Sequence, residues 1–185
     1  MEFKEFPKIY RLNREVIVSE KIDGTNGCVA ISEMGEVSAQ SRSQAITIAN
    51  DNFGFAKWVQ ENAKELVRLG PGYHYGEWWG AGIQRRYGQD RKRFSLFNVH
   101  RWGASRPACC DVVPVILRGM GWQTAYAALE LLRANGSFAA PGFSQPEGVI
   151  AFHTQGNLMM KMTLLKDEEY KGKASQSQRQ DEHGN

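Results

Sequence analysis

A chain of 185 residues, 42% hydrophobic and 23% charged, has the size and composition of a single soluble domain, and it contains no apolar run long enough to span a bilayer. Its net charge of +3 permits a polyanionic partner without requiring one. Cys28, Cys109 and Cys110 form an odd set without metal-ligand spacing, so neither a disulfide framework nor a zinc knuckle is expected, and a reducing cytoplasm is.

The first twenty residues are interrupted by charges and Pro7, unlike a signal peptide. Val16–Glu20 then reads as a short strand. Cys28–Ser32 and Val37–Ser41 read as a hairpin around Met34-Gly35-Glu36. From Phe53 to Leu69 the period changes: Phe55, Trp58, Val59, Ala63, Leu66 and Val67 share one helical face, and Gly70-Pro71-Gly72 ends it. "YHYGEWW" and Arg91–Val99 return to strands, the second entered through a basic loop. Gly121–Asn135 reads as a helix stopped by Gly136, and "EGVIAFH" and "NLMMKMTLL" as closing strands. The tail from Lys171 has a single apolar residue, an alanine, and is expected to be disordered. Residues 1–170 are therefore expected to form one α+β domain with mostly antiparallel sheets flanked by helices.

Polar residues at the predicted strand ends carry the chemistry. In "SEKIDGTNG" (Ser19–Gly27) Lys21 closes an apolar run, and Asp23-Gly24-Thr25-Asn26 is turn chemistry in which Gly24 accepts φ > 0. Ser41-Arg42, Tyr75-Gly76-Glu77, Phe94-Ser95-Leu96-Phe97, Glu147-Gly148-Val149 and Lys161 follow in order. Taken singly each has a plainer reading. Phe97 fits a core position, Glu77 a strand charge, Glu147 a turn, and Lys161 a side chain that snorkels to the surface. A lysine amine can attack phosphorus only after losing a proton, which desolvation or a nearby cation favours.

In that order the elements resemble the covalent nucleotidyltransferases, the ATP-dependent ligases and capping enzymes. "EKIDGTN" and "GEWWGAGIQRRY" are most similar to the nick-sealing RNA ligases of phage and RNA-editing systems. The resemblance runs from about Ser19 to Thr163 and implies the adenylation-domain fold of DNA and RNA ligases, an ATP-grasp-like α+β architecture. It implies that Lys21 carries AMP from ATP, that Glu20, Ile22, Asp23 and Gly24 line the nucleotide site, and that Asn26 serves strand joining. Arg42 would engage the 5′-phosphate or the nucleotide, Phe97 would stack on adenine, Lys161 would contact the α-phosphate, Glu77 would bind ribose or metal, and Glu147 would help hold Mg²⁺ or Mn²⁺. The family's closing K-x-K is Lys161-Met162-Thr163 here, so either Thr163 stands for the second lysine or Met159 for the first. The acid that often follows the stacking aromatic is Asn98.

The expected function is an ATP-dependent RNA ligase joining 3′-hydroxyl and 5′-phosphate ends through lysyl-AMP. Arg85, Arg86, Arg91, Lys92 and Arg93 are candidate phosphate-backbone contacts. Glu20 fits the RNA branch and Asp23 the DNA branch, so a DNA nick ligase is an alternative, as is a nucleotide- or end-binding module that has lost ligation. Neither an OB-fold nor a helical C-terminal domain is expected after Thr163; a protein partner, a flexible tail or a restricted set of substrates would compensate.

Overall fold

Val16, Ile17 and Val18 are all buried in the first strand, β1 (Glu15–Lys21), and strand geometry turns Val16 and Val18 to one face, against a helix. The computed structural model describes residues 1–165, so the tail expected to be disordered lies outside the described residues. The remaining strands are β2 (Thr25–Ile31), β3 (Val37–Gln40), β4 (Ala45–Ile46), β5 (Gly72–Gly80), β6 (Lys92–Leu96), β7 (Asp111–Val112), β8 (Val115–Met120), β9 (Gly148–His153) and β10 (Leu158–Thr163). The helices are α1 (Phe55–Glu61), α2 (Ala63–Leu66) and α3 (Gln123–Asn135), with a 3₁₀ turn at Val67–Leu69.

Two sheets form. One has four antiparallel strands in the order β10-β9-β1-β8; the other has six in the order β4-β3-β2-β5-β6-β7. Among the described residues the paired strands are antiparallel except β6 with β7, so the expected α+β class with mainly antiparallel sheets describes the molecule. The helix α3 covers one face of the smaller sheet through Ala125, Ala128, Leu129 and Leu132, packed on Val16, Val18, Val149 and Ala151. One face of the larger sheet is sealed by Phe55, Val59 and Leu66 against Val29, Trp78, Phe94 and Leu96. In each sheet the other face is left to build a site.

The single helix expected over Phe53–Leu69 is broken at Asn62, which sits at φ −105°, ψ 10°. Its side-chain amide and its backbone N–H both donate to the Trp58 carbonyl (2.8 and 3.0 Å), a local bond that competes with helical continuation. At the other end, Asp51 accepts the N–H groups of Ala56 (2.7 Å) and Lys57 (3.1 Å) and so satisfies the first turn of α1. The strands β4 and β7 are two residues each, too short for a period to register. The strand β8 escaped notice as an edge strand whose Arg118-Gly119 interrupts its apolar run.

Glu20 has a different task from the one its neighbour Lys21 implied. Strand alternation turns it to the face opposite Lys21, where it is 1% exposed. It accepts hydrogen bonds from Ser137 Oγ (2.6 Å), Phe138 N–H (2.8 Å) and Ala139 N–H (2.8 Å). Burial raises its pKa against the lowering effect of those donors. Glu20 thus fastens the chain after α3 to β1, and its side chain faces away from Lys21. Glu20→Ala leaves three buried donors unmatched, and each orphan costs about 1–3 kcal/mol. A clearly lower urea midpoint is expected, and an unchanged midpoint would contradict this role.

Candidate functional site

The turn 22–24 carries the chain from the smaller sheet to the larger one, since Lys21 ends β1 and Thr25 begins β2. Every residue of it is anchored. The Ile22 side chain packs with Trp79, Tyr87, Val113 and Ala140, so it belongs to the core and only its backbone is available to a ligand. Asp23 N–H donates to Tyr87 Oη (2.9 Å), and its carboxylate accepts Arg85 Nε–H (2.8 Å). Gly24 N–H donates to Glu77 Oε1 (3.0 Å). A Cβ on Gly24 would run into the Trp78 carbonyl and lie 2.8 Å from Trp79 Cβ. The expectation that this glycine supplies a positive φ is corrected: its φ is not in that region, and what the position requires is close approach to β5.

Lys21 Nζ lies 2.6 Å from Glu147 Oε2, in an ion pair about three-quarters withdrawn from solvent at the lysine end, where 24% stays exposed. Across the turn, Asn26 Nδ2 donates to Glu77 Oε2 (3.3 Å), so both Glu77 oxygens bind the "DGTN" segment. Burial is the main force pushing the Glu77 carboxyl up, to about 7; Glu147 and Asp23 add to it, while Lys21 and the Gly24 N–H oppose it. Arg85 joins the two halves of the site. While Nε holds Asp23, Nη1 donates to the Gln145 carbonyl (3.0 Å) two residues before Glu147. The loop supplying Arg85 is strained: Gln84, Arg86 and Tyr87 adopt φ of 43°, 61° and 51°, a region that costs residues with side chains about 1–3 kcal/mol each.

The other candidates lie around this centre. Phe97 is 39% exposed and continues the β5–β6 ladder by donating its N–H to the Tyr75 carbonyl (2.9 Å). Arg42 is exposed in the β3–β4 turn and lines a concavity of about 290 Å³ with Thr25, Asn50, Asp51 and Asn52. Lys161 is exposed on β10, and the register decides its position. Lys21, Gly148 and Thr163 form one row across the sheet, whereas Lys161 pairs with Ile150 and sits one same-face row away. Thr163 therefore occupies the place nearest Lys21, and Met159, paired with Phe152, lies farther off. Asn98 accepts the N–H groups of His100 (3.2 Å) and Arg101 (3.0 Å), forming a turn in place of the expected acid.

Among the five basic candidates, Arg85 is engaged as described. Lys92 Nζ donates to the Phe53 carbonyl (2.7 Å). Arg93 binds Asp111 (2.8 Å) and lies over the Trp79 ring, 5.4 Å from its centroid. Arg86 and Arg91 are exposed. Tyr87, Gln145 and Asn52, which donates to Thr25 Oγ1 (2.9 Å), were missed, because a buried tyrosine hydroxyl and a lone carbonyl carry no sequence signal.

Lys21 is thus gathered with the carboxylates of Glu147, Glu77 and Asp23 at the turn between the two sheets. A family model described as RNA ligase matches residues 14–161. The chain belongs to the RNA ligase family. In fold it is similar to a Naegleria gruberi RNA ligase, a lysine-to-alanine mutant with ATP and Mn, at TM-score 0.61 and 17% identity over 82% of this chain and 49% of that one. The same enzyme with PPi gives TM-score 0.58 at 16% identity, over 82% and 50% of the two chains. A lysine-to-methionine mutant with AMP and Mn gives 0.56 at 16%, with the same coverage. No curated protein matches the chain. This family member spans about half the length of the solved RNA ligases it matches.

Among the described residues no cluster of three or more His, Cys, Asp or Glu can cage a metal. The carboxylates of Glu77 and Glu147 fit a hard cation that keeps its waters and takes its other ligands from phosphate. The tight seat of Gly24 in this RNA ligase fold gives a direct check. Gly24→Ala must displace β5, an overpacking cost of about 1–3 kcal/mol. Thermal denaturation should show a clearly lower midpoint, and an unchanged one would mean the turn is loosely held.

Proposed function

We propose that the chain is an ATP-dependent RNA ligase whose nucleophile is Lys21. The observation that carries this reading is the Lys21 Nζ–Glu147 contact of 2.6 Å, in a chain of the RNA ligase family. The similarity to ligases with ATP and Mn, with PPi and with AMP and Mn supports ATP as the donor.

Lys21 Nζ attacks the α-phosphorus of ATP. A nitrogen–phosphorus bond forms, the bond from the α-phosphorus to the bridging oxygen breaks, and pyrophosphate leaves with that electron pair. Nζ must lose a proton in the process, and Glu147 Oε2 is the group placed to accept it. A 5′-phosphate oxygen then takes the adenylyl group, with cleavage of the nitrogen–phosphorus bond and release of lysine. Attack by a 3′-hydroxyl on the 5′-phosphorus expels AMP and joins the ends. Asn26, fixed on Glu77, is positioned for these later steps. Glu77 and Glu147 would hold Mg²⁺ or Mn²⁺, which neutralises phosphate charge. Phe97 offers its exposed ring to adenine, Arg42 its guanidinium to a phosphate, and Lys161 its charge from β10. Arg86 and Arg91 are the basic candidates left open to an RNA backbone.

Thr163 in the Lys21 row favours a second reading in which the chain binds nucleotides or ends without joining them. Neutral threonine gives less electrostatic stabilisation of the transferring phosphoryl group than lysine. Incubation with ATP and Mg²⁺ or Mn²⁺ should add one AMP to the intact mass, and Lys21→Ala should add none; absence of the adduct across metals and pH would sink the ligase reading. Sealing of a pre-adenylylated nick would exclude the binding module, and RNA or DNA strands flanking that nick would separate the two ligase classes.

The raised pKa of Glu77 predicts a pH dependence. The folded protein keeps the Glu77 proton up to about pH 7, so below that value the site lacks one anionic ligand for a cation or ribose. Nucleotide binding in the presence of Mn²⁺ should therefore strengthen as pH rises through about 7. Glu77→Gln should be weaker throughout and lack that step; a variant with the wild-type pH profile would contradict the role.

A further inference from the structure

We infer that Tyr73, supported by Tyr75, forms a stacking subsite for an unpaired nucleobase of the substrate strand, beyond the base of the nucleotide held at Lys21. The identity of this ligand rests on the ligase reading. The two tyrosines stand on the first half of β5, which pairs with β2 along this stretch and is joined to the β6 side only from the Tyr75 carbonyl onward. Alternation places Tyr73, Tyr75 and Glu77 on one face, while His74, Gly76 and Trp78 turn toward the opposite, sealed one. Tyr73 and Tyr75 are 63% and 58% exposed. They lie side by side, centroids 6.4 Å apart and planes inclined by 20°.

The neighbours make a ledge of them. Tyr73 is flanked by Ala30, which pairs in turn with Ser38, and Tyr75 by Cys28, which pairs with Gln40. Small or flexible side chains beside a large flat ring leave its surface open. On the other side Tyr75 is joined through its carbonyl to Phe97, whose ring is also partly open. The aromatic surface thus shares its sheet face with Glu77 and with Asn26, which pairs with Glu77.

Distance separates the two bases. Tyr73 is four residues from Glu77 along β5, about 14 Å at the rise of an antiparallel strand. Phe97 stands beside Tyr75 and Tyr73 lies two residues farther from Glu77, so a first base would meet Phe97 and Tyr75, and Tyr73 would meet a second. Aromatic rings on an open sheet face are a recurring platform for unpaired bases, since every base has a π-face and stacking tolerates sequence. The rims of the ledge are hydroxyl groups, which suits a hydrated base better than the apolar face of a protein partner.

The probe is a short 5′-phosphorylated oligoribonucleotide, with binding to the full chain followed by fluorescence anisotropy. Tyr73→Ala should weaken binding by about tenfold or more, the range of a lost base–aromatic stack, and Tyr73→Phe should retain it. An abasic site moved along the RNA should weaken wild-type binding by a similar factor at one position and have little further effect on Tyr73→Ala. Unchanged affinity in Tyr73→Ala overturns the inference. So does an abasic scan that leaves wild-type binding unaltered, which needs no variant to fold and would mean that the ring supports the sheet or a protein contact. The AMP adduct on the same wild-type sample reports the ligase reading separately, so either proposal can fail while the other stands.

Discussion

The site depends on a chain crossing. Between Lys21 and Thr25 the backbone leaves one sheet and enters the other, and the turn that makes the crossing is pinned from several sides. Ile22 goes into the core, Asp23 is held by Tyr87 and Arg85, and Gly24 is pressed onto β5. Without that crossing, Glu147 at the entry to β9 and Glu77 on β5 would belong to separate sheets with nothing between them. With it, one lysine stands between two carboxylates, and each of them is bound to the turn itself. Preorganisation of this kind is what phosphoryl and nucleotidyl transfer asks of a protein, since positioning and charge do most of the catalytic work.

Charge is concentrated where burial makes it consequential. Asp23, Glu77 and Glu147 surround Lys21, and among these acids Glu77 is the buried one whose carboxyl is pushed up to about 7. A carboxyl held near neutrality changes its charge readily when its surroundings change. Arg85 adds a structural tie, because it bonds both the Asp23 side chain and the backbone beside Glu147. The strained loop that bears it is held by the buried Tyr87 ring, whose hydroxyl accepts the Asp23 N–H in the turn after Lys21.

Much of this could be read from the sequence, and the limits have physical reasons. Alternating apolar residues and turn glycines carried the strands of the two sheets and the helix α3, because burial on one face leaves a period. The strands β4, β7 and β8 left none, being short or at an edge. The ordered appearance of Lys21, Glu77 and Glu147 pointed to a common site, and the fold brings them together. Which face each neighbour takes was harder to see. Glu20 and Ile22 flank the lysine in sequence, yet alternation and the sharp turn send both side chains into the interior. Arg85, Lys92 and Arg93 looked like free cations because an internal acceptor such as Asp23, the Phe53 carbonyl or Asp111 is distant in sequence. The Tyr73–Tyr75 ledge read as strand composition, since exposure on a sheet face is a property of the assembled sheets.

What remains is to place the covalent bond on one atom. The chain should be labelled with ATP carrying radioactive α-phosphate, digested with trypsin under alkaline conditions that preserve a phosphoramidate, and its labelled peptide sequenced. The geometry around Glu147 predicts label on Lys21 alone, with loss of the trypsin cut that an unmodified Lys21 would permit. Label on Lys161, on another lysine, or on no peptide at all would contradict the assignment of Lys21 as the nucleophile.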